Sequence, residues 1–215
     1  MKTIYAIQSL AFEDLGSFVP VLKDLGYQDG LVSNKEGIFV KVPVFSFSKL
    51  TRVDVTLGPE MKSTGEVMGK DSTLEKALYK GLIGAGRKVP LHGSILFTID
   101  DVNKPEAARL AKRFYDIGFK IWATRGTSRY FNELNIPTKI GYKIEEETEN
   151  LISLIQKGKV QYVVNTTTKG KQSMNDGFLI RRTSVENGVP CLTSMDTVEA
   201  ILKVVESMSF KMQAM

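Results

Sequence analysis

The sequence predicts an α/β protein: a parallel sheet with helices on both faces over residues 91–215, preceded by a small α+β segment. Two observations carry this. From Ser94 onward, short apolar runs rich in β-branched and aromatic residues alternate with amphipathic stretches of helical length, the pattern of a parallel sheet built from βα units. Before Gly84-Ala-Gly86-Arg-Lys-Val-Pro90, the pattern is different, with one alternating run, a glycine-punctuated stretch and a single helix. At 215 residues the chain can bury one core, or one core with an appended piece.

Taken in order, Thr3–Ile7 reads as a strand, and a helix through Phe18–Leu25 stops at Gly26. Residues 37–47 alternate as a strand, and Pro43 places it at an edge because proline lacks a ladder donor. Leu57–Gly69 shows little periodicity. A helix capped by Asp71 or Ser72 runs to Ile83, and Gly84–Pro90 reads as a linker containing the end of that unit. A strand at Ser94–Ile99 leads to a helix at Pro105–Ile117, capped by Asn103 and stopped by Gly118; Ala107, Leu110, Ala111, Phe114 and Ile117 form its apolar stripe. Next come a strand at Phe119–Ala123, a short helix from Ser128 to Leu134, an extended piece at Thr138–Tyr142 and a helix at Glu149–Lys157. The strand Val160–Val164, a helix at Phe178–Glu186, a short strand at Cys191–Thr193 and a final helix at Asp196–Met208 complete the chain.

Composition excludes several functions. One cysteine, Cys191, rules out an intrachain disulfide and a cysteine metal cluster, and a lone histidine, His92, argues against histidine catalysis or zinc. No apolar run approaches a membrane span and no signal peptide is evident, so a cytoplasmic protein without a membrane partner is expected. The net charge of +5 is spread thinly, with 12 basic and 10 acidic residues over 1–90 and 17 and 14 over 91–215. A nucleic-acid binder concentrates its basic residues on one face, so an anionic small molecule is the expected ligand.

Ligands of open parallel sheets bind beyond the carboxyl ends of the strands. Asp100, Asp101, Asn103 and Lys104 follow the first strand, and Thr124, Arg125, Gly126 and Thr127 follow the second. Lys143 follows the third, and Asn165, Thr166, Thr167, Lys169 and Lys171 follow the fourth. Lysines supply charge, hydroxyls and helix N-terminal N–H groups supply directed bonds, and Asn165 offers an amide, a set suited to a phosphorylated ligand. Asp176 is open to two readings, a cap before Gly177 or a carboxylate for ligand hydroxyls. Arg181 and Arg182 read as a helix face or a domain contact, Trp122 as core, Cys191 as buried and inert, and His92 as solvated.

Leu57-Gly-Pro-Glu-Met-Lys-Ser-Thr-Gly-Glu-Val-Met-Gly69 closely resembles the segment closing the second ATP-grasp unit of carbamoyl-phosphate synthase large subunits, and Pro43–Lys49 the strand before it. Residues 91–215 resemble the C-terminal allosteric domain of that family, a Rossmann-like sheet of methylglyoxal-synthase-like fold. The resemblance implies three parts: an N-terminal segment 1–30 outside the pattern, an ATP-grasp remnant at 31–90 and a nucleotide-binding domain at 91–215. Ala11–Phe18 resembles the start of a class I glutamine amidotransferase domain. The resemblance places the effector phosphate among Lys104, Thr124, Gly126, Thr127 and Lys143, with Asn165, Thr166 and Thr167 along the nucleotide and Asp176 near its ribose. It implies UMP as inhibitor and phosphoribosyl diphosphate or IMP as activator. An ornithine site is not expected, because Val42 and Cys191 stand where ornithine-responsive members carry glutamate and tyrosine.

The whole enzyme of that family makes carbamoyl phosphate for pyrimidine and arginine synthesis, using ATP, magnesium or manganese, potassium and a glutaminase small subunit. Residues 1–36 contain nothing to replace the ATP and metal ligands of the missing unit. The polypeptide is therefore expected to bind no cofactor itself and to be inactive alone, docking on the rest of the large subunit through Ser72–Ile83, Arg181 and Arg182. The alternative is a free-standing methylglyoxal synthase acting on dihydroxyacetone phosphate. That chemistry needs a carboxylate base and, in the family, histidines and a Gly-Gly-Asp-Gln stretch, where this chain has Thr-Lys-Gly-Lys-Gln-Ser.

Overall fold

A computed structural model of the chain describes residues 36–45, 63–142, 150–166 and 171–209, of residues 171–175 the backbone only. The chain divides after Glu36, and every element below belongs to the unit Gly37–Met215. The readings for residues 1–30 and for Leu57–Lys62 lie outside the described residues.

Five parallel strands form the main sheet: β3 (Ser94–Thr98), β4 (Lys120–Thr124), β5 (Thr138–Gly141), β6 (Tyr162–Asn165) and β7 (Cys191–Leu192), in the order β5-β4-β3-β6-β7. The central strands β3 and β6 are buried at every position, as strands covered on both faces must be. On one face, α2 (Lys104–Asp116), α3 (Arg125–Glu133) and α6 (Met195–Ser209) enclose Ile95, Phe97, Phe114, Phe131, Tyr162, Val164 and Leu202. Edge-to-face ring pairs, Phe97 on Phe131 and Phe114 on Phe119, lock that core. On the other face, α4 (Leu151–Gln156) and α5 (Lys171–Glu186) cover Leu96, Val163 and Ile180. Trp122, expected as core, is half-buried there, with the Lys139 ammonium 5.4 Å from its ring centroid. The helical stripe of α2 and the stop at Gly118, with φ 95°, match the expectation.

Two antiparallel strands precede this sheet, β1 (Ile38–Phe45) and β2 (Ser63–Asp71), with α1 (Leu74–Gly84) packed against them. Among the described residues the strand holding Pro43 pairs on one side only, with β2. The described part of the glycine-punctuated stretch is not irregular: it is β2. Gly69 is needed there, because a Cβ would lie 2.0 Å from the Ala77 carbonyl and 2.6 Å from the Gly81 nitrogen of α1. The helix cap is Thr73, whose hydroxyl accepts from the Lys76 N–H, while Asp71 accepts from Ser72 and pairs with Lys80. The expected linker is exposed at Gly84, Gly86, Arg87 and Lys88 but anchored at its end, where Val89 is buried and the Tyr162 hydroxyl donates to the Pro90 carbonyl; the flanking Leu82 and Leu91 pack partly buried against the main core. His92 is exposed, as expected.

Candidate anion-binding site at the carboxyl edge of the sheet

Side chains alternate across a sheet. Since Ala123 and Val164 face the first core, Thr124, Thr98 and Asn165 project from the opposite face at the carboxyl ends of three adjacent strands. Helix α3 begins directly at Arg125, not at Ser128. Thr124 is its extended N-cap, with φ −60° and ψ 154°, and its hydroxyl bonds not to a backbone N–H of the helix but to the Thr127 hydroxyl at 3.1 Å. Gly126 and Thr127 therefore lie in the first helical turn, where backbone N–H groups lack intrahelical acceptors and the dipole is positive.

Lys104 reaches the same point. A Cβ placed on Gly126 would be 3.7 Å from the Lys104 ammonium, so that cation stands over the helix start. It is mostly buried, at 17% side-chain exposure, and pairs at 2.6 Å with Asp101, which is 92% exposed. Asn103 does not cap α2 through its side chain; its N–H and amide both donate to Asp100, which caps the short helical turn Asp101–Asn103.

A second group forms at the β6 end. Asn165 is buried; its amide donates to the Thr98 hydroxyl at 2.7 Å, and its oxygen accepts from Arg181 at 3.0 Å. Thr166 is joined to Asp100, accepting from its N–H at 3.0 Å. Arg181 is thus not a surface or domain-contact residue but an inward-facing one, whereas Arg182 pairs with Glu186 on the same helix. The signal was present in the sequence: Gly177, Ile180, Arg181 and Ser184 share one helical face, and all four are buried. Asp176 is not a cap; α5 starts earlier, and Asp176 is exposed within it, next to Gly177. Cys191 lies alongside, and burial pushes its thiol up to about 12, against the pull of the Arg181 charge and a bond to Ser184.

The structure thus brings together Lys104, Thr124, Gly126 and Thr127 at one point and Asn165 and Thr166 at a neighbouring one. Lys143 and Thr167 lie outside the described residues. A cleft of about 300 Å³ opens farther along this edge, lined by Asn103, Glu106, Thr166, Thr193, Ser194, Met195 and Asp196. Of the residues expected at the strand ends, Asn103 and Thr166 line it, and Lys104, Thr124, Gly126 and Thr127 do not. No cluster of metal-ligating side chains occurs among the described residues, and no described helix is long and apolar enough to cross a membrane.

A family model of the MGS-like domain matches residues 106–193. The match runs from the first turn of α2 past β7 and takes in Thr124, Gly126, Thr127, Asn165 and Thr166, with Lys104 two residues outside it. An MGS-like domain is therefore present in this chain, and the matched residues carry strands β4 to β7 of the parallel sheet and most of the candidate site, with β3 lying before them.

Proposed function

We propose that the chain is the regulatory C-terminal region of a carbamoyl-phosphate synthase large subunit, binding UMP as an inhibitor and phosphoribosyl diphosphate or IMP as an activator. The observation that carries the reading is the Lys104 ammonium standing over Gly126 at the start of α3, beside the paired Thr124 and Thr127 hydroxyls. That arrangement suits a phosphate monoester: N–H groups, hydroxyls and one cation converge where a helix dipole is positive. The MGS-like domain supports the same reading, as does the Ser63–Gly69 part of the ATP-grasp-like string in β2. In this proposal ATP, its metals, the remainder of the large subunit and the glutaminase small subunit belong to the whole enzyme. The nucleotide acts by biasing the synthase unit, with a coupling of about 1–3 kcal/mol.

Calorimetric titration of UMP into the 215-residue chain tests the proposal. A charge-assisted hydrogen bond contributes about 1.5–3 kcal/mol, so Lys104→Ala should weaken binding roughly 10- to 100-fold. Equal affinities for the variant and the parent, or no binding at millimolar UMP, would sink the assignment. Turnover of dihydroxyacetone phosphate would replace it with the enzymatic alternative.

A further inference from the structure

Arg181 is the residue of this edge that no function yet uses. Its side chain belongs to a residue only 7% exposed, it makes a single hydrogen bond among the described residues, to the neutral amide of Asn165, and its Nε is buried without a partner. No carboxylate among the described residues pairs with it. Arginine carries a permanent charge and five donors in a planar fork suited to oxyanions, so a buried guanidinium with a neutral partner is costly to keep. The helix beside it is also cut back. A Cβ on Gly177 would stand 3.1 Å from Arg181 Nη1 and 3.5 Å from Asn165 Oδ1. Glycine inside a helix is unfavourable, and here its bare backbone lets the helix come close to the Arg181–Asn165 pair without displacing it.

We infer that Arg181, Asn165 and Gly177 form a second oxyanion point, which takes the other acidic group of a ligand anchored at Lys104. The two points belong to β4 and β6, with β3 between them; neighbouring strands lie about 4.8 Å apart, which separates the points by roughly 10 Å. The preferred ligand is then a sugar phosphate carrying a second phosphoryl group at its far end. The Arg181 fork receives that group through Nε and the free Nη donors, while Nη1 keeps Asn165 in place. The inference rests on the proposed nucleotide reading for its first anchor, Lys104, but not for Arg181 itself.

Titration of the 215-residue chain with ribose 5-phosphate and with phosphoribosyl diphosphate reads the second point directly. The diphosphate should bind at least tenfold tighter. Arg181→Met should bring that ratio to about one while leaving ribose 5-phosphate within about twofold, and Arg181→Lys should restore part of it. Gly177→Ala, which favours the helix but crowds the fork, should lower the ratio even where Arg181→Met folds poorly. A ratio unchanged in these variants, or equal weakening of both ligands, overturns the inference. Lys104→Ala should weaken both ligands together. If the parent chain binds neither sugar phosphate, the nucleotide reading fails, and thermal unfolding with inorganic diphosphate decides for Arg181 alone. A rise in midpoint that Arg181→Met loses sustains the oxyanion point; no rise overturns it.

Discussion

Asp101 pairs with the cation that the proposed function assigns to a phosphate. Its carboxylate holds the Lys104 ammonium at 2.6 Å although Asp101 itself is 92% exposed, and an ion pair so open to water contributes little to stability. In the proposed site, a phosphate over Gly126 would compete with that carboxylate for one cation. Asp101→Asn should therefore tighten UMP or phosphate binding several-fold, with the unfolding midpoint almost unchanged. Weaker binding would mean that Asp101 orients Lys104 instead of competing for it. Residues at strand ends were legible as a group from their types and from the rule that ligands gather there, and Thr124, Thr127, Lys104 and Asn165 do stand at that edge. Arg181 was not. A pair of adjacent arginines reads as surface, and only the helical phase of Gly177, Ile180, Arg181 and Ser184 shows that the first of them points inward.

Sequence pattern and secondary structure part where glycine and threonine serve two purposes. Thr124-Arg-Gly-Thr127 has the composition of a turn, yet only Thr124 is extended and the helix starts at once. Gly126 is tolerated in a first turn because its N–H has no intrahelical partner to lose. In β2 the glycines mask a strand because the packing needs them: Gly69 lets α1 lie against the hairpin. Gly69→Val should cost about 1–3 kcal/mol through forced backbone shifts, read as a lower urea midpoint. Gly65→Val, with no atom within 4 Å of its built Cβ, is the control and should leave the midpoint nearly unchanged; equal losses would refute the close approach. The corner between β2 and α1 also carries a pH dependence. The Lys80 ammonium, helped by the Ser72 N–H, holds the Asp71 carboxyl at about 2 in the folded chain, below its ordinary 3.8. A lowered folded value means stability that is fully present above about pH 4 and fades as pH falls toward 2. Urea midpoints of Asp71→Asn and the parent should differ at pH 6 and converge near pH 2; a constant gap would show that the pair has no such role.

At the scale of the whole molecule, the βα alternation made the parallel sheet legible and its buried central strands confirmed it, but alternation says nothing about how the preceding hairpin attaches. A run such as Gly84–Pro90 carries the residues of a linker, and its packing depends on partners far away in sequence. Helix α1 lies against α6, and the Pro90 carbonyl accepts from Tyr162, which is buried in the centre of the sheet. The Tyr162 hydroxyl is held protonated, mainly by burial, so it remains a donor over the whole usable pH range. Hairpin and sheet should consequently unfold together, in one transition seen alike by far-ultraviolet dichroism and by Trp122 fluorescence from β4. Tyr162→Phe removes this part-buried hydrogen bond, a loss of about 1 kcal/mol. That loss should lower the single midpoint without splitting it. Two separated transitions in the parent chain would show that residues 37–90 fold on their own account, and that the boundary near Pro90 is a true domain boundary.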